Sequence, residues 1–260
     1  MNRWFLFPAA ILLAAAATLA QQTQQPPAAS SDQKNGTGIV PPGVKLVPTM
    51  PAPGAPTQFK FPSAATKTLA NGLRVFVVTD HSEPAVAVRM VTLSAGSTQD
   101  PKDMPGVAQM TANMLTQGTA KRSARDIAEA IDFIGGSLQA SAAADATDVT
   151  LNVVKKDLPA GLDLMSDVVL HPAFQAEELD RQRQQLLSGL TLQYSDPDYI
   201  ASAVFARAVY GSSPYGSPAE GTPQTVKKLD PAALSKFHDA NYAPNQSLIA
   251  FAGDITPDEA

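Results

Sequence analysis

Leu73-Arg74-Val75-Phe76-Val77-Val78-Thr79, led in by the turn pair Asn71-Gly72, is rich in β-branched and aromatic residues and reads as a strand. Working outward, Ala85 to Leu93 (AVAVRMVTL) has the same character and is expected to be its partner strand. A helix is predicted over Met104 to Thr116, with Pro105 near its start and Gly118 past its end. The next helix runs from Ala124 to Ile134. Ser123 stands at its cap with Asp126 three residues on, and Ile127, Ile131 and Ile134 form its apolar stripe. Gly135-Gly136 ends it, and Leu138 to Ala143 with Thr147 to Val153 alternate as a hairpin.

Three helices follow. One carries Leu158, Leu162, Met165 and Val169 at helical spacing, one spans Ala176 to Gln193, and one covers Tyr199 to Tyr210. A short helix opens at Asp230-Pro231, and Ser247 to Ala252 is the closing strand. Runs of strands separated from runs of helices indicate an α+β fold, a mostly antiparallel sheet packed with helices.

Upstream the composition changes. Met1 to Ala20 has a short positive start, an apolar run and a small residue before Gln21-Gln22, the pattern of a secretory signal peptide. Residues 21–57 alternate proline with Gln, Ser, Gly and Ala and read as a disordered linker. The expected organisation is therefore a signal at 1–20, a Pro-rich linker at 21–57, one domain at 58–257, and the start of a further domain at 258–260. The expected location is the periplasm or the exterior, with no stable membrane span once the signal is cleaved.

With 260 residues, 44% of them hydrophobic, the chain can bury a sizeable core. Its net charge of -5, and basic pairs as isolated as Lys155-Lys156 and Lys227-Lys228, argue against nucleic acid as a partner. There is no cysteine, which excludes disulfides, thiolate metal sites, cysteine nucleophiles and a lipid-anchored cysteine. No Gly-x-Ser-x-Gly elbow occurs.

Five segments together resemble the pitrilysin/insulinase family of zinc peptidases, including its mitochondrial-processing branch. They are Leu69 to Val75; Ala95-Gly96-Ser97 leading into Gly106 to Leu115 and Gly118-Thr119; Ile134-Gly135-Gly136 with Ala140 and Ser141; Ser213 to Pro218 with Gly221-Thr222; and Asn241 to Asn245 through Gly253-Asp254-Ile255. The resemblance implies the first domain of that fold. It also implies a zinc site in active members. Two histidines of a His-x-x-Glu-His helix share one face and bind the metal, the intervening Glu is general base, and a Glu from another helix completes the shell.

Here the histidine positions hold Gln109 and Asn113, the base position holds Ala112, and the distal position falls at Gly189, with Gln182 at a supporting acidic position. No catalytic, cofactor or metal residue is therefore expected. The resemblance implies a non-catalytic homologue that positions unfolded peptides for a zinc-bearing sibling subunit. The alternatives are a metallopeptidase with a rebuilt zinc site and a purely structural scaffold subunit. His81, His171 and His238 are read as surface or satisfied residues, none with a carboxylate at helical ligand spacing in a plausible site.

Overall fold

Alternation writes the sheet. Val75 and Val77 on one strand, Val86 and Val88 on another, and Val149, Leu151 and Val153 on a third are all buried, while Arg74, Ala87, Arg89 and Asn152 between them are exposed. The structure is a computed structural model that describes Gly54 and residues 62–260. The signal expected at residues 1–20 and, Gly54 apart, the linker expected at 21–57 lie outside those residues.

The strands are β1 (Ala65–Thr68), β2 (Arg74–Thr79), β3 (Ala85–Thr92), β4 (Ser137–Ala142), β5 (Thr147–Val154) and β6 (Ser247–Gly253). They form one sheet in the order β1-β2-β6-β3-β5-β4. Every pair is antiparallel except β2 with β6, which is parallel. The α+β, largely antiparallel architecture is thus present.

The expected β2–β3 partnership is not. The short link between them suggests a hairpin, since consecutive strands usually pair. Instead β6 lies between them, setting Phe251 opposite both Val77 and Val88. Ser247-Leu248-Ile249-Ala250-Phe251-Ala252-Gly253 has no charged residue and suits the centre of a sheet; β1, whose residues are all exposed, takes the edge.

Among the described residues there are seven α-helices: α1 (Val107–Leu115), α2 (Ala124–Phe133), α3 (Leu158–Leu170), α4 (Ala176–Gln193), α5 (Pro197–Tyr210), α6 (Pro223–Val226) and α7 (Pro231–Asn241). The Ser123–Asp126 capping box forms in both directions, with the Ser123 hydroxyl accepting from Asp126 N–H at 3.1 Å and the Asp126 carboxylate accepting from Ser123 N–H at 2.9 Å. Asp230 caps α7 through Ala233 N–H at 2.8 Å. Such caps are worth about 1 kcal/mol each.

The core joins the valine-rich face of the sheet to Val107, Met110 and Met114 of α1, Leu164, Val168 and Val169 of α3, and Leu234 and Phe237 of α7. α1 packs against β4, α4 and α7. It is therefore held from three sides, and its remaining side meets what lies outside the core.

Candidate functional site: helix α1 and its neighbours

Where α1 starts is set by contacts far along the chain. The sequence predicts its beginning at Met104, but Gly106 has φ +99°, a left-handed conformation that interrupts the helix, and α1 begins at Val107. Two backbones cross here. A Cβ on Gly106 would stand 2.7 Å from the Glu220 carbonyl oxygen, and one on Gly221 would stand 2.3 Å from that of Pro105. Glycine is needed on both sides, which ties two of the recognised segments to each other.

The buried N–H groups at this end, which no helical carbonyl can take, are accepted by a residue that the sequence reading missed. Asp100 accepts from Gly106 N–H at 2.6 Å and from Ala108 N–H at 2.9 Å. Burial pushes its carboxyl up from the ordinary 3.8 to about 6, against the opposing pull of those two bonds. Capping rules look one to three residues from a helix end; Asp100 lies six residues before Gly106 and reaches it through the intervening loop.

α1 buries Val107, Ala108, Met110, Thr111, Ala112, Met114 and Leu115. Gln109 and Asn113 are left half-buried, one turn apart on the same face. They are joined, Gln109 Nε2 donating to Asn113 Oδ1 at 2.9 Å. Ala112, at the base position, is completely buried. Gly189 lies on the neighbouring α4, and a Cβ built there would meet nothing within 4 Å. Gln182 is half-buried on the same helix. α4 is fastened to the end of α1 by the Arg181 guanidinium, which donates to Gln117 Oε1.

These residues do not fit a zinc ion. Zinc favours thiolate, imidazole and carboxylate donors; the four positions offer two neutral carboxamides bonded to each other, a methyl group and no side chain. Among the described residues no cluster of three or more His, Asp or Glu could hold a metal.

The histidines stand elsewhere. His81 bonds Asp254 at 2.5 Å, and His238 Nε2 meets the Val169 carbonyl at 2.8 Å while its ring stacks on Tyr242. His171 does have a carboxylate at helical spacing, Asp167, 3.5 Å away on α3. That is a correction to the sequence reading, although the carboxylate is already engaged. Asp167 is buried and accepts from Thr119 Oγ1 at 2.8 Å and from Arg122 Nη1 at 2.6 Å. Burial raises its pKa, and these bonds outweigh burial and hold it below the usual carboxylate range. The network ties the Gly118-Thr119 segment to α3.

Beside α1 the sheet ends at β4. Leu138, Ala140 and Ala142 turn toward the core while Gln139 and Ser141 are exposed. The hairpin closes with Ala143 N–H bonding Ala146 C=O, so antiparallel alternation turns the N–H groups of Leu138, Ala140 and Ala142 outward. Among the described residues no other backbone group pairs with that edge.

Residues 74–222 match the model of the insulinase family, peptidase family M16. The chain belongs to this family. An uncharacterised zinc protease of Mycobacterium leprae is 34% identical over 194 residues, which cover 74% of this chain and 43% of that protein. The β subunit of the mitochondrial-processing peptidase of Dictyostelium discoideum is 26% identical, over 76% of this chain and 42% of its own. Among solved structures, the peptidase M16 inactive domain from Pseudomonas fluorescens superposes with a TM-score of 0.72 at 29% identity, covering 75% of this chain and 48% of that one. This M16 chain thus spans less than half the length of the curated relatives it matches.

Proposed function

We propose that this M16 chain is a non-catalytic, exported subunit that holds unfolded polypeptide for a zinc-bearing homologue. The observation that carries the reading is the pair Gln109–Asn113, closed on itself where active members bind metal, on the helix beside the open edge of β4. A free edge strand can receive an extended peptide by adding a strand to the sheet, with backbone groups supplying affinity irrespective of sequence. Without general base or metal ligands, the remaining contribution is positioning, which holds a scissile bond near the chemistry of a partner. The naming of one similar structure as an inactive domain, and of one relative as a subunit, agrees with this reading. Export follows from the signal read at residues 1–20.

The test combines metal analysis with activity. The purified chain, dialysed and analysed for metal, is expected to carry no stoichiometric zinc. Co-expressed with a zinc-bearing M16 homologue of the same genome, it should co-elute and raise cleavage of unfolded peptides. Ala140→Pro, which deletes one outward N–H from β4, should weaken peptide binding at least tenfold with the fold intact. One zinc per chain, lost on changing Gln109 and Asn113 to alanine, would overturn the non-catalytic reading. A complex that forms without any effect on peptide binding or cleavage would leave a scaffold role.

A further inference from the structure

We infer that helix α5 is an apolar subsite for unfolded polypeptide, selecting chains that carry large apolar side chains next to the stretch paired with β4. The inference rests on the functional reading above and names the class of segment that reading selects.

α5 contains no buried residue. Tyr199, Ala203 and Ala206, at i, i+4 and i+7, are half-buried and mark the face turned to the domain. Val204 is 63% and Phe205 68% exposed. Ile200 and Val209, exposed as well, lie nine residues apart and so project from opposite sides of the helix. Eight of the thirteen large hydrophobic residues exposed among the described residues fall between Leu192 and Tyr215. Apolar surface gathered in one place marks a binding site, whereas the same residues scattered singly would not.

This surface adjoins the open edge. Tyr215 Oη donates to Asp145 Oδ1 at 2.5 Å, and Asp145 lies in the hairpin three residues beyond Ala142, the last residue of β4. The rings of Tyr215 and Tyr210 stand 5.8 Å apart, and Tyr210 is the last residue of α5. Ser97 donates its N–H to the Ala143 carbonyl at 3.0 Å and lines a hollow of about 290 Å³ that reaches Arg207 of α5. Arg207 also borders a groove of about 580 Å³ between Ala203, Val204 and Ala208 of α5 and the chain at Gly216 and Pro218. A polypeptide leaving β4 past Ala142 thus needs no long bridge to reach α5.

An unfolded chain suits this surface better than a folded partner. The bare side chains spread around half the helix, so a flat partner would cover on the order of a few hundred Å², where a standard interface takes about 800 Å² from each side. A flexible chain can wrap around such a curved surface. Unfolded chains also expose the apolar side chains that folded proteins hide. A lipid surface would call for a basic rim, and the charged residues of α5 are only Asp198 and Arg207. The division of labour is simple: β4 offers backbone groups to any sequence, and α5 rewards apolar side chains.

The test uses two labelled synthetic peptides with one strand-forming half in common. The other half carries leucine and phenylalanine in one peptide and serine in the other. The parent chain should bind the apolar peptide about tenfold more tightly. Val204→Ser with Phe205→Ser should abolish that preference and leave the affinity for the serine peptide unchanged. Neither residue is buried, so the melting temperature should hold. Phe133, on α2 and 91% exposed, supplies the control Phe133→Ser, which should keep the preference. Ala140→Pro should weaken both peptides. If Ala140→Pro changes neither affinity, the edge-strand reading fails and the continuous site with it. If it weakens both, but the parent shows no preference or the double variant retains one, the reading stands and the α5 assignment is wrong. If the chain alone forms a dimer that the double variant dissolves, or a zinc-bearing homologue without peptide protects residues 197–210 from hydrogen exchange, a protein surface occupies α5 and the assignment to polypeptide is overturned.

Discussion

Helix α1 takes Val107, Met110, Met114 and Leu115 out of solvent, whereas α5, comparably apolar along its length, buries none of Ile200, Val204, Phe205 or Val209. The difference lies in arrangement, not content. α1 gathers Gln109 and Asn113 on one narrow side, so a single orientation satisfies both water and the core. In α5 the apolar residues surround the axis, and no orientation against this domain alone hides them all. The two helices therefore sit differently: α1 is packed into the core with Gln109 and Asn113 on its open side, while α5 keeps its apolar residues in solvent.

The comparison can be broken most forcefully at α1. Met110→Ala deletes a side chain that is wholly buried. It should cost about 2–5 kcal/mol of stability, as such truncations do in packed cores. Urea denaturation reads it directly, and a loss below 1 kcal/mol would mean that α1 is not packed as described.

The next effect is on pH. The folded pKa of Asp100, about 6, lies above the unfolded 3.8, so its contribution to stability is fully present below about pH 4 and is lost as pH rises through 6. Two pKa units correspond to about 3 kcal/mol. Between pH 4 and 7, Asp100→Asn should therefore gain on the parent by up to that amount. Parallel pH–stability curves for the two proteins would show that burial does not govern this carboxyl.

A smaller change, of opposite sign, is expected on α4. Gly189 occupies the interior of a long helix with free space around its Cβ position. Gly189→Ala should stabilise the protein by about 0.5–1 kcal/mol through the backbone entropy that glycine loses on folding. A drop in melting temperature would reveal a neighbour that the free space does not suggest.

The smallest effect is on α5. Val204→Ala should leave the stability of the isolated chain within about 0.5 kcal/mol, as exposed substitutions do. A core-sized loss would mean that α5 is already covered in solution.

Reading the sequence recovered most helices and strands to within a few residues, because their signals are local. Ser123 and Asp126 lie three residues apart, Asp230 sits beside its own helix, and β5 alternates in plain view. That Gln109, Ala112 and Asn113 share one helix was also legible, since their spacing needs no fold to interpret. The Gln109–Asn113 bond follows from that same i, i+4 spacing.

Other features are invisible in one dimension. That β6 parts β2 from β3 depends on which strand gains most from a central place, a sum over both neighbours. That Asp100 holds the start of α1, and that Gly106 must clear Glu220, depends on loops meeting across the chain. The bareness of α5 is a property of what its neighbours fail to cover. The sequence by itself determined the local elements and the donor types along α1, because helix periodicity, capping and side-chain chemistry act within a few residues. Tertiary structure alone decided the strand order, the anchoring of α1 and the exposure of α5, because burial is settled only when distant segments compete for the same core.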